Sequence, residues 1–148
     1  NDGYEIKENT RTTYPQLGDN LAWKISNEDY YYKPGVTWTG VTSGMFNCRL
    51  YGRGFIFDSG ANGLFSLGNQ PIQFFAALLN SSVISEAMAF LNPTLNFGSG
   101  TINNVPVPEC DSQTIDCVSR IADSLVGLSK QDWDSQETSW DFKRNSLV

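Results

Sequence analysis

The hydrophobic period of this sequence changes near Asn69, and that change restricts the fold more than any single motif. Before it, apolar residues alternate with polar ones, as in strands whose two faces meet different surroundings. The strand-like runs are "LAWKI" from Leu21, "VTWTGVT" from Val36 after a Pro34-Gly35 turn, and "MFNCRLY" from Met45. In the last of these, Phe46, Cys48 and Leu50 fall on one face, and Asn47, Arg49 and Tyr51 on the other. Gly52-Arg53-Gly54 reads as the tight connection of a hairpin whose second arm is Phe55 to Asp58. After Asn69, "QPIQFFAALLNSSVISEAMAFL" sets Ile72, Phe75, Leu78, Leu79, Ile84, Met88 and Leu91 at helical spacing. Asn69 is the expected N-cap with Pro71 in the first turn, and Asn92-Pro93 the expected stop. A short extended piece is expected at Thr101 to Val107. A second amphipathic helix follows at Gln113 to Leu128, with Ser129-x-x-Asp132 as a capping box or turn.

Strands, helix, strand, helix predict an α+β fold: a small twisted β-sheet with two packed helices and a helical exit. The expected division is a polar, weakly patterned lead-in at 1–20, a domain over 21–128, and an acidic, Trp-containing exit over 129–148. The chain opens on Asn1 rather than Met, and a piece excised from a longer protein is expected.

The composition removes several chemistries. With no histidine, neither a Ser-His-Asp nor a Cys-His site can be assembled from this chain alone. Cys48, Cys110 and Cys117 are odd in number and loosely spaced. They fit neither a disulfide framework nor a zinc site, and read as buried or partly buried thiols in a reducing cytoplasm. No metal site is expected. No apolar run approaches the ~20 residues that span a membrane, so no membrane partner is expected. The net charge of −6 opposes non-specific nucleic-acid binding, which depends on Lys and Arg neutralising phosphates. Its distribution matters more than its sum. Residues 21–60 set Lys24, Lys33, Arg49 and Arg53 against Glu28, Asp29 and Asp58, while residues 109–148 carry eight acids and four bases. Any surface facing a polyanion is therefore expected from 21–60.

Four constellations suggest chemistry. Asn92-Pro93-Thr94-Leu95 is one residue from the Asn-Pro-Pro-aromatic loop of adenine methyltransferases, but Thr94 and Leu95 lack the second proline and the stacking ring. Phe97-Gly98-Ser99-Gly100 lacks the preceding strand and following helix of a nucleotide loop, and reads as a flexible turn. Asp132, Asp134, Glu137 and Asp141, interleaved with Trp133, Trp140 and Phe142, read as a solvated acidic face whose aromatics dock on a neighbour. The fourth is the strand face of Asn47, Arg49 and Tyr51, beside Arg53, Lys33 and the Thr/Ser-rich "TWTGVTSG". Arg and Asn are the side chains that read guanine and adenine edges bidentately, and Thr and Ser contact phosphates or bases.

The order of these phrases resembles a known family. "ALLNS" (Ala77 to Ser81) followed by "LNPTLNFGSGTINNVPVP" is similar to the end of a target-recognition domain of DNA restriction–modification proteins. "SGMFNCRLYGRGFIFDSGANGLFS" (Ser43 to Ser66) looks like the matching β segment, and "LSKQDWDSQETSWDF" (Leu128 to Phe142) like the exit of type IIG and BREX phage-exclusion adenine methylases. The resemblance implies a binding module rather than an enzyme. Catalysis and S-adenosylmethionine would belong to a separate N-terminal methyltransferase domain of the same parent, and the partner would be double-stranded DNA. It carries no catalytic or cofactor-binding residue onto this chain. Lys24, Lys33, Asn47, Arg49, Tyr51 and Arg53 are the expected DNA contacts. Two readings compete: a methyltransferase core within this chain, opposed by its length and the missing loops, and a protein-interaction or regulatory module docking through Trp133 and Trp140.

Overall fold

The computed structural model describes residues 3–58, 60–92 and 94–145. Its centre is a three-stranded antiparallel sheet: β1 (Gly35–Thr39) lies between β2 (Cys48–Tyr51) and β3 (Ala61–Leu64). The expected α+β class is the observed one. The register pairs Val36 with Leu50 and Leu64, Thr37 with Arg49 and Gly63, and Trp38 with Cys48 and Asn62. Residues directly opposite across an antiparallel pair share a face. Val36, Trp38, Cys48 and Leu50 therefore face the core, and Thr37, Thr39, Arg49 and Tyr51 face away from it.

Helix α2 (Ile72–Leu79) covers the core face, with Ala76 and Leu79 buried against Val36, Trp38 and Cys48. Helix α3 (Ser82–Leu91) adds Ile84 and Met88 to the same core, and the one-turn α4 (Ser99–Ile102) adds Ile102. The long α5 (Ser112–Asp134) packs on α2, so the layers run sheet, α2, α5. The Asp111 carboxylate caps α5 by accepting from the Thr114 N–H at 2.7 Å. That bond holds its carboxyl below the usual carboxylate range.

The stretch after α3 closes the sheet. Val41 and Asn96 form an antiparallel bridge, the Phe97 N–H donates to the Gly40 carbonyl at 2.7 Å, and the Trp38 indole donates to the Phe97 carbonyl at 2.7 Å. Asn92 closes its own loop. Its carboxamide donates to the Thr94 and Asn96 carbonyls and accepts from the Thr94 hydroxyl. Pro93, the residue expected to stop the helix, lies outside the described residues.

Several local expectations are corrected. The lead-in is not unpatterned: Tyr4–Thr13 form α1, and "LAWKI" is no strand but a 3-10 turn over Leu21–Trp23, whose N-cap Asn20 accepts from the Ala22 N–H. The hairpin of 45–51 with 55–58 does not form. β2 pairs with β1, and β1's other edge is taken by Ala61–Leu64. Phe55 and Ile56 stay exposed, and Asp58 turns the chain into β3 by accepting from the Gly60 and Ala61 N–H groups. The single helix of 69–91 is two helices bent by 65°, starting at Ile72 with Pro71, not Asn69, in the N-cap position. The break falls at Asn80-Ser81, where the Ser81 hydroxyl accepts from the Ile84 N–H and restarts the helix. The extended piece expected from Thr101 begins as helix α4, and Ser129-x-x-Asp132 lies inside α5, where Lys130 pairs with Asp134 one turn on. No single helix among the described residues is long and apolar enough to cross a membrane, and the bent α2–α3 pair carries buried core residues.

Candidate nucleic-acid interface

The sheet has one covered face and one open one. On the open face, Arg49 stands on β2 opposite Thr37 and donates from Nη2 to the Thr39 hydroxyl at 2.9 Å. Thr39, Arg49 and Ala61 are exposed, and Asn47, one step outside β2, keeps the alternation that exposes it between buried Phe46 and Cys48. On the β3 side the residues of this face are the small Ala61, which is exposed, and Gly63, over which the Phe65 and Tyr51 rings lie.

One end of this face is closed by aromatic rings. Tyr51 packs edge-on against Phe55 and Phe65, with centroids at 6.1 and 6.4 Å, and Phe65 packs on Phe57 and Tyr30 at 5.4 and 4.9 Å. The Tyr51 ring lies across the sheet over Gly35 and Gly63. A Cβ on Gly35 would stand 2.8 Å from the Tyr51 oxygen and 2.9 Å from the Leu64 carbonyl oxygen. A Cβ on Gly63 would stand 2.9 Å from Phe65. Both strands need glycine there because a ring occupies the space. Burial raises the Tyr51 hydroxyl above its ordinary range, and among the described residues it has no hydrogen-bond partner.

The six expected contact residues divide. Asn47, Arg49 and Tyr51 share the open face. Lys33 and Arg53 come together at its aromatic end, because the Tyr32 N–H donates to the Phe55 carbonyl and the Gly54 N–H to the Tyr32 carbonyl. Gly54, at φ 98, allows that tight passage. The Lys33 ammonium lies 5.3 Å from the Tyr30 ring centroid. Lys24 belongs instead to the N-terminal helical unit, 4.3 Å from the Tyr14 ring centroid and 5.3 Å from that of the exposed Trp23.

Two of the three acids of 21–60 are engaged. Glu28 pairs with Lys7, and Asp58 accepts two backbone N–H groups. The acids of α5 sit beyond α2, on the side of the sheet away from Arg49. In the exit segment Lys130 bridges Asp134 at 2.6 Å and Asp141 at 2.7 Å, and the ammonium holds the Asp134 carboxyl below its ordinary range. Trp133 and Trp140 are exposed there, Trp140 completely. No group of three His, Cys, Asp or Glu among the described residues is arranged to hold a metal ion. Cys48 is buried and Cys110 half-buried, but Cys117, expected to be at least partly buried, is exposed on α5.

The sequence reading missed Asn80. Its carboxamide accepts from the Cys48 N–H at 2.9 Å and donates to the Cys48 carbonyl at 3.0 Å, closing the outer edge of β2 much as another strand would. The available signal was a polar residue between two apolar helical runs. Thr39 lay within the Thr/Ser-rich run set beside Arg49, but its hydrogen bond to that residue follows only from the register.

No family model matches the chain. The class of protein to which it is similar is nonetheless clear: adenine-specific methyltransferases. The relatives are the adenine-specific methyltransferase BrxX of Escherichia coli O9:H4 (strain HS), 31% identical over 150 residues and the whole of this chain, and the adenine-specific methyltransferase PglX of Lacticaseibacillus casei (strain Zhang), 34% identical over 122 residues and 82% of it. The chain spans about a tenth of the length of these curated relatives, 11% and 10% respectively.

Proposed function

We propose that this chain is the DNA target-recognition part of an adenine-specific (N6) methyltransferase of the BREX phage-exclusion or type IIG kind. It works in the cytoplasm beside an N-terminal domain that binds S-adenosylmethionine and carries out the transfer. The observation that carries the reading is the open sheet face. It presents Arg49 on β2 and Asn47 just before that strand, has Lys33 and Arg53 at one end, and is turned away from the acids of α5. Such a face suits a duplex: base edges are read by side chains fixed on a strand, and phosphates by cations at its margin. The relatives' methyl transfer to adenine supplies the class of substrate. The parent would extrude adenine into its own catalytic pocket, and this part would hold the flanking duplex in register. Tyr51 supports the face from within the aromatic cluster, and Lys24 contributes charge from the neighbouring helical unit.

A salt titration of duplex binding by the full-length protein tests this reading. The affinity should fall by about 0.9 log units per log unit of salt for each phosphate neutralised, and charge removal at Lys33 and Arg53 together should lower that slope by about two. An unchanged slope in the double variant would refute the assignment of this face.

The second reading, a protein-docking module, has its own support in the exposed Trp133 and Trp140. It predicts duplex binding indifferent to the sheet face and a partner lost on Trp140→Ala.

A further inference from the structure

We infer that Arg49 reads a guanine in the target and that Thr39 is the positioning residue that aims it; this inference rests on the target-recognition reading above. Base readout and phosphate contact make different demands on a cation. A phosphate accepts a charge from many directions, whereas bidentate recognition of guanine O6 and N7 needs a planar fork held in one orientation.

Only some of the candidate cations meet the second demand. Arg53 lies between two glycines in an exposed connection, and Lys33 is a single ammonium resting on the Tyr30 ring. Both suit phosphate. Arg49 is different. It projects from the middle of β2, a strand fixed on one side by the β1 ladder and on the other by Asn80. One Nη2 donor is bound to Thr39 Oγ1 at 2.9 Å, a diagonal contact across the sheet. A guanidinium has five donors in a fixed fork, so one bond to Thr39 restrains the fork and leaves the other four donors for a base edge. Thr39 is exposed and carries no part of the core, so its hydroxyl has no packing reason to be there. The β-branched side chain with a hydroxyl acceptor does two things at once: it favours the strand and restrains the arginine.

The test is methylome sequencing of cells expressing the full-length protein as wild type, Thr39→Val, Thr39→Ser, Arg49→Ala and a version with residues 21–108 exchanged for a relative's. Valine keeps the shape and strand preference of threonine and removes only the acceptor, while serine restores it. Arg49→Ala should relax one G·C position of the methylated motif by about 10-fold or more, in line with the loss of one bidentate contact. Thr39→Val should relax the same position and no other, and Thr39→Ser should keep the wild-type motif. Relaxation in Arg49→Ala with an unaltered motif in Thr39→Val would overturn the positioning role. Unaltered motifs in both, with a new motif in the exchanged version, would overturn the guanine contact while leaving the recognition reading standing. An unaltered motif in the exchanged version as well would remove the recognition reading itself.

Discussion

Asn80→Ala is the perturbation that bears most directly on how the sheet face is held. The Asn80 carboxamide makes two hydrogen bonds of 2.9 and 3.0 Å to the backbone of Cys48. Each is worth about 0.5–1.5 kcal/mol net, and groups left unpaired in a partly buried position cost about 1–3 kcal/mol more where water does not replace the partner. The expected loss is therefore about 2–4 kcal/mol. For a chain of this size that corresponds to a fall in Tm of roughly 5–15 °C. Asn80→Asp keeps the acceptor for the Cys48 N–H but sets a carboxylate against the Cys48 carbonyl, so it should lose at least as much. Alanine also favours helix at the α2–α3 break, so stability alone mixes two effects. Amide hydrogen exchange separates them: the Cys48 N–H should exchange much faster in Asn80→Ala, with the Ile84 N–H little changed because its partner is Ser81. A midpoint within 0.5 kcal/mol of wild type, or an unchanged Cys48 exchange rate, would refute the clamp.

Three further predictions concern the core and the aromatic end. Gly35→Ala should destabilise by about 1–3 kcal/mol in urea titration, because its Cβ meets the Leu64 carbonyl oxygen at 2.9 Å, and a backbone atom in a ladder does not yield. Tyr51→Phe should be neutral or stabilising, since it removes a buried hydroxyl without a partner, and a marked loss would show a bond to that hydroxyl. Burial pushes the Cys48 thiol up from 9.0 to about 12. The folded state then binds more protons than the unfolded one between those values, so stability is full below about pH 9 and falls as pH rises towards 12, by up to about 1.4 kcal/mol per pH unit. Cys48→Ala should flatten that alkaline slope, and an identical slope would refute the burial argument.

The sequence made the alternation of Phe46, Cys48 and Leu50 against Asn47, Arg49 and Tyr51 readable because a period of two is local. The helical run after Asn69 was readable for the same reason. Strand partnership was not. Nothing in "FIFD" shows that Ala61–Leu64 rather than 55–58 pairs with β1, because pairing is decided by which segment fits the second edge. The break at Asn80 was hidden because the apolar rows on either side continue at helical spacing, while the partner of the Asn80 side chain is a backbone 32 residues away. Tyr51 looked like a third contact residue of the open face. Its hydroxyl is instead buried over Gly35 and Gly63, a placement that only the register creates. The closure of the sheet was expected in the extended piece at Thr101 to Val107, but it is made at 95–97, by hydrogen bonds with Gly40 and Trp38 that no local pattern shows.

The measurement that tests the central claim most directly is the methylated motif itself. Residues 21–108 of the full-length protein are exchanged for those of a relative with a different target, and methylated adenines are mapped across the genome of the host. The account predicts that the motif moves with the exchanged residues while methylation continues. Continued methylation of the original motif would contradict it.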